Sequence, residues 1–147
     1  MKIEMGESLI YSWLRHVKSC QIVQTNWKTS GHWTLTHEED LEKIKEITGQ
    51  FFNENYGYDI YKKTASLSQL LQQAECDVIG VNVQDTSNSI YAVDVAFHKA
   101  GLDYHDKKTT VQKIIEKCVR TAMCLYGYLN VKEANIIFAS PRYIRAK

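Results

Sequence analysis

Residues 76–98 read CDVIGVNVQ, DTSNS, IYAVDVAFH: two runs of β-forming residues, Cys76 to Gln84 and Ile90 to His98, joined by a polar segment. Turn residues between two such runs signal a β-hairpin. Both runs are nearly continuous in apolar content rather than alternating, the pattern of a sheet covered on both faces, as in α/β proteins. Two acids interrupt it: Asp77 opens the first strand and Asp94 sits in the middle of the second. An unpaired carboxylate among Val, Ile and Ala side chains is costly, so a metal ion or a strong donor is expected beside them. Side chains alternate along a strand, which puts Asp94, Ala96 and His98 on one face, and Glu75 and Asp77 together likewise.

Downstream, Thr109 and Gln112 read as a cap for a long helix to about Leu129, because Val111, Ile114, Ile115, Cys118, Val119, Ala122, Met123, Tyr126 and Leu129 recur at helical spacing. Its outer face is expected to carry Lys113, Glu116, Lys117 and Arg120. A last strand spans Asn135 to Ser140 and stops at Pro141. Upstream, Ser66 and Gln69 form a capping box for a short helix with Leu67, Leu70, Leu71 and Ala74. Thr36 and Glu39 form another, ahead of Leu41, Ile44, Ile47, Phe51 and Phe52, for a helix to about Asn53. These two helices, about residues 36–75, read as an insertion between strands. A first strand is expected over Cys20 to Lys28. Before it, Leu9, Ile10, Trp13, Leu14 and Val17 predict a helix from about Met5 to Lys18. Glu7 projects from the edge of that apolar stripe, either toward a site or as a first-turn acid that complements the helix dipole.

The chain has 147 residues, 44% hydrophobic and 24% charged, with 7 Gly and 1 Pro. That composition fits one globular domain over residues 1–147 and excludes collagen-like, disordered and low-complexity chains. No apolar run reaches the ~18 residues of a membrane span, and MKIEMGES turns acidic before any apolar stretch could serve as a signal peptide, so a cytoplasmic location and no membrane partner are expected. Cys20, Cys76, Cys118 and Cys124 form no C-x-x-C pair and read as buried free thiols. The histidines at 16, 32, 37, 98 and 105 lack zinc-finger spacing. The net charge of +1 hides a split: residues 1–98 carry 8 Lys/Arg against 13 Asp/Glu, residues 99–147 carry 10 against 4. A basic final third suits contact with phosphates, through Lys107, Lys108, Lys113, Lys117, Arg142 or Arg145, although solvated lysines give the same pattern.

Two carboxylates on adjacent strands, with Glu7 arriving from the first helix, would make an all-oxygen pocket suited to Mg²⁺ or Mn²⁺. The order of helix with Glu7, strand, strand opening with Asp77, strand with Asp94, helix and strand resembles the PD-(D/E)XK nuclease superfamily. The resemblance covers about residues 5–28 and 76–140. It implies a restriction-endonuclease-like core, a mixed four-stranded sheet flanked by helices, with the helical insertion after the first strand. Carried over by position, Glu7 matches the acid on the family's first helix, Asp77 the Asp of the first half-motif and Asp94 the acid of the second. Cys76 stands where the motif often has Pro. Ala96 stands where the motif has the lysine that positions or activates the attacking water. Lys99, Lys113 and His98 are the candidate substitutes, His98 because it shares the Asp94 face and titrates near neutrality; a hydrogen-bonded strand-end histidine is the plainer reading. Gln112 sits where some relatives carry a site glutamine, with capping as its simpler role.

The resemblance thus implies a magnesium-dependent endonuclease that hydrolyses DNA phosphodiester bonds, with Glu7, Asp77 and Asp94 as metal ligands. It also allows a homodimer, since many nucleases of this fold act in pairs. The alternative is a catalytically degenerate nucleic-acid- or protein-binding module on the same fold, and a third reading makes Asp77 and Asp94 hydrogen-bonded acids of a regulatory domain. Trp13, Trp27, Trp33, Tyr56, Tyr58 and Tyr61 can stack on bases or serve as core.

Overall fold

The computed structural model describes residues 5–61, 66–84, 89–96 and 107–140. The element order is α1 (Met5–His16), β1 (Ile22–Lys28), α2 (Glu38–Tyr56), α3 (Leu67–Gln72), β2 (Glu75–Asn82), β3 (Ser89–Val95), α4 (Lys107–Leu129) and β4 (Asn135–Ala139). The protein is α/β, and its strands form one four-stranded sheet in the order β1-β2-β3-β4. The expected hairpin is present, with β2 and β3 antiparallel and Val78 opposite Val93. Strand β4 runs parallel to β3, Val93 pairing with Ile137, so the sheet is mixed. Among the described residues, no helix is long and apolar enough to cross a membrane.

The chain divides into two compact units: residues 1–27, 75–104 and 133–147, and residues 28–74 and 105–132. The segment read as a helical insertion falls in the second unit together with α4.

In the first unit α1 packs on β2 and β3. Its buried Leu14 joins Cys20, Val78 and Val93 in a core flanked by Ile10, Tyr11, Trp13, Val23, Val95 and Ile137. Leu9 and Val17, expected in that core, are 57% and 65% exposed. Val17 follows the last helical residue, His16, with its N–H still closing on the Trp13 carbonyl, and Leu9 lies off the line joining Gly6, Ile10 and Leu14. Gly80 lets the helix lie close: a Cβ there would stand 3.1 Å from Leu14 Cδ1 and 3.0 Å from Cys20 Sγ. Three consecutive residues of β2, Val78 to Gly80, are buried, as are Ala92 to Asp94 of β3, in keeping with the near-continuous apolar runs.

In the second unit α4 packs on both α2 and α3. Leu41, Leu70, Leu71, Met123, Cys124 and Leu125 are each at most 2% exposed. The Thr36–Glu39 capping box does not form. His37, at φ 58°, is the N-cap of α2 and makes no side-chain cap. Thr36 instead ties to α4, its hydroxyl donating to the Gly127 carbonyl at 2.8 Å. The Ser66 cap does form, its hydroxyl accepting from Gln69 N–H at 3.4 Å. Helix α2 runs past Asn53 to Tyr56 and closes on Gly57, at φ 69°, a left-handed residue where glycine carries no steric cost.

On α4 the periodic reading needs correction. Ala122 is exposed and Leu129 is 41% exposed, whereas Glu116 and Thr121, outside the expected stripe, are buried. A helix enclosed from more than one side buries more than one stripe. Gly127 lies against Leu35 and Leu41, and the Cys124 thiol donates to the Leu71 carbonyl at 3.4 Å. Helix α4 begins at Lys107, so Thr109 and Gln112 lie within it and do not cap it.

Candidate functional site

Asp77 and Asp94 are neighbours across the β2–β3 ladder. Extending the register one pair beyond Val78 and Val93 sets them opposite each other, and directly opposed residues of an antiparallel pair share a face. Asp94 is 6% exposed and Asp77 is half-buried. The Asp77 carboxylate accepts the backbone N–H of Val95 at 2.7 Å, which ties the end of β2 to β3. Both negative charges act on the adjacent thiol: burial pushes Cys76 up to about 12, with Asp94 and then Asp77 adding to the rise. Cys124 is pushed up to about 12 by burial alone, and burial raises Cys20 as well. All four cysteines are free, and Cys20, Cys76 and Cys124 are buried. At neutral pH those three are protonated packing groups rather than nucleophiles.

Glu7 is half-buried on α1. Helix α1 covers the face that carries Val78 and Val93, and alternation turns Asp77 and Asp94 to the other face. The expected three-acid pocket is therefore not assembled. Among the described residues, no three His, Cys, Asp or Glu side chains group so as to hold a metal ion. Ala96 is buried, and its N–H bonds to the Ala139 carbonyl at 2.9 Å, continuing the β3–β4 pairing. His98 and Lys99 lie outside the described residues. Lys113 is half-buried on α4, in the second unit. Gln112 spans two groups on that unit, donating to the Asp59 carbonyl and to Glu116 Oε1, each at 3.2 Å. Glu116 is buried rather than on the outer face to which its spacing assigned it. Lys107, Lys108 and Lys117 are exposed, while Arg142 and Arg145 lie outside the described residues.

The aromatic residues divide by burial. Trp27 and Tyr61 are core, at 6% and 8% exposed. The Tyr61 hydroxyl is engaged by Thr48 and by Met123 Sδ, and burial raises it above the ordinary phenol value. Trp13 meets Tyr91 edge to face at 6.5 Å, with the Lys18 ammonium over both rings. Trp33 is 43% exposed and meets Tyr128 edge to face. At the C-terminal end of α2, Tyr56 and Tyr58 stack, centroids 5.6 Å apart and planes 13° from parallel.

Spacing alone misses one further feature, a cleft of about 620 Å³ in the second unit, lined by Ile44, Ile47, Val119, Ala122, Tyr126 and Met123, with Asp40, Lys43 and Lys132 among its polar residues. Ile47 belongs to the apolar repeat of α2 yet is 65% exposed. Its place in the repeat was readable, but nothing local says that α4 leaves it uncovered. Comparison of the chain with protein-family models, with curated proteins and with solved structures finds no match.

Proposed function

We propose that this protein is a metal-dependent nuclease that hydrolyses phosphodiester bonds in DNA on a restriction-endonuclease-like core. The observation that carries the proposal is the placement of Asp77 and Asp94 one step beyond the Val78–Val93 pair of an apolar hairpin, with Asp94 buried. Two carboxylates on one face suit Mg²⁺ or Mn²⁺. Mg²⁺ keeps several of its waters and binds through one or two carboxylates together with substrate phosphate. A divalent ion held there supplies Lewis acidity toward phosphate and lowers the pKa of a bound water. Asp77 and Asp94 would hold such an ion, and His98 or Lys99, which follow Asp94 in the same unit, would orient the water in place of the motif lysine. The basic final third attracts the DNA backbone.

The test is calorimetric titration of Mn²⁺ into wild type, Asp77→Asn and Asp94→Asn, paired with cleavage of plasmid and oligonucleotide DNA in Mg²⁺. Both variants are expected to fold, to lose metal binding and to lose cleavage. Unchanged Mn²⁺ affinity in both variants rejects the site. Metal binding by a wild type that never cuts DNA favours the second reading, a binding module on the same fold. Ala96 speaks for that reading, since a buried methyl group occupies the position of the motif lysine.

A further inference from the structure

The C-terminal end of α2 holds a group of aromatic rings that folding leaves uncovered. Phe51 and Tyr56 are 50% and 55% exposed. Phe51 meets Phe52 and Tyr56 edge to face, at 5.1 and 6.2 Å. Gly57 reverses the chain, and the Tyr58 N–H bonds back to the Phe52 carbonyl at 3.1 Å, which holds Tyr58 nearly parallel to Tyr56. The Lys108 ammonium lies 5.9 Å from the Tyr58 ring centroid. All these residues belong to the second unit.

Burying such rings is a large source of stability, so the exposed Tyr56, backed by a half-buried Tyr58 held parallel to it, calls for an occupant. Every nucleobase offers a π-face to a ring of this kind, and an ammonium beside it complements a phosphate. We infer that Phe51, Tyr56, Tyr58 and Lys108 form a stacking platform for single-stranded nucleic acid. The inference deepens the DNA reading above by naming the strand form that the second unit takes. Glu54 sits on the same turn of α2, its carboxylate accepting from Gln50 at 3.0 Å. With an acid that close and one lysine over the Tyr58 ring, binding rests on stacking more than on charge, and its salt dependence is shallow.

Fluorescence anisotropy with labelled oligo(dT), on the full chain and without divalent cations, tests the platform. Tyr56→Ala and Tyr58→Ala each weaken binding about tenfold, the size of one lost base–ring stack, while Tyr56→Phe retains it because the π-face remains. Lys108→Ala lowers the log–log salt slope by about 0.7, one phosphate contact on a single strand. If oligo(dT) binds in this pattern but no DNA is ever cut, the platform stands and the nuclease reading falls. Wild-type affinity in both alanine variants overturns the platform. So does absence of oligo(dT) binding by wild type, or a self-association that Tyr56→Ala abolishes, which would assign the rings to a second copy of the chain.

Discussion

Asp77 and Asp94 lie across one strand pair, but they answer to different demands. The Asp77 carboxylate satisfies the Val95 N–H at 2.7 Å, a charge-assisted bond that stands in for a rung at the end of the ladder. Asp77→Ala strands that donor and is expected to cost about 1–3 kcal/mol in urea unfolding, whereas Asp77→Asn keeps an acceptor oxygen and costs less. Asp94→Asn removes a like charge from opposite Asp77, and like charges directly opposed across a ladder destabilise it. Its urea midpoint is expected to equal or exceed that of wild type when divalent ions are chelated. A midpoint well below wild type would mean that Asp94 holds the hairpin together, and would support the regulatory-domain reading. Both acids stood out in the sequence because each broke an apolar run. Their tie to Val95 did not, since a side-chain acceptor for a ladder N–H depends on where the partner strand ends.

At the scale of elements, close approach is set by glycine. Gly80 lies under α1, and a side chain larger than methyl there must displace Leu14, which is fully buried, or Cys20. Gly80→Val is therefore expected to destabilise the protein by about 1–3 kcal/mol despite the better strand propensity of valine. A thermal melt that is unchanged would show that α1 can move away at no cost. The helix ends show which local signals survive tertiary contact. Ser66 caps α3 as its spacing predicts, because both partners of that bond lie on the same short helix. Thr36 has the same local signature and loses its capping role, since the Gly127 carbonyl on α4 takes its hydroxyl and its N–H. His37 then enters α2 in a left-handed conformation, stacked on Tyr126 at 4.3 Å with its Nε2 2.7 Å from Asn130 Oδ1.

Across the whole molecule each unit holds one buried thiol pushed up to about 12 from an ordinary 9.0, Cys76 in the first, where burial raises Cys20 too, and Cys124 in the second. Between those values the folded chain keeps protons that the unfolded chain has released, so the associated stability is complete below pH 9 and is lost as pH rises toward 12. Burial raises Tyr61 and Tyr128 as well, which steepens the loss above pH 10. Urea midpoints are expected to fall between pH 9 and pH 10.5, with a slope of up to about 1.4 kcal/mol per pH unit for each thiol. Replacing Cys76 and Cys124 by Ala should flatten that fall, and an equally steep fall in the double variant would assign it to other groups. The same burial leaves both thiols unreactive toward maleimides at neutral pH until the chain unfolds.

The order of elements, the hairpin, the two acids within it and the division of apolar and charged residues were determined by the sequence, because strand alternation, helical period and turn chemistry are written over a few neighbouring residues. The mixed sheet came only from the resemblance, and its strand order was decided by tertiary pairing. Which stripe of a helix is buried was also decided tertiarily. Ile47 and Phe51 continue the apolar repeat of α2 and remain exposed, while Glu116 is buried on α4, because burial depends on how many neighbours enclose a helix and not on its own period. Glu7 shows the limit for a site: its spacing places it at the edge of an apolar stripe, but the sheet face that this stripe covers is set when α1 docks, and that face is the one opposite Asp77 and Asp94.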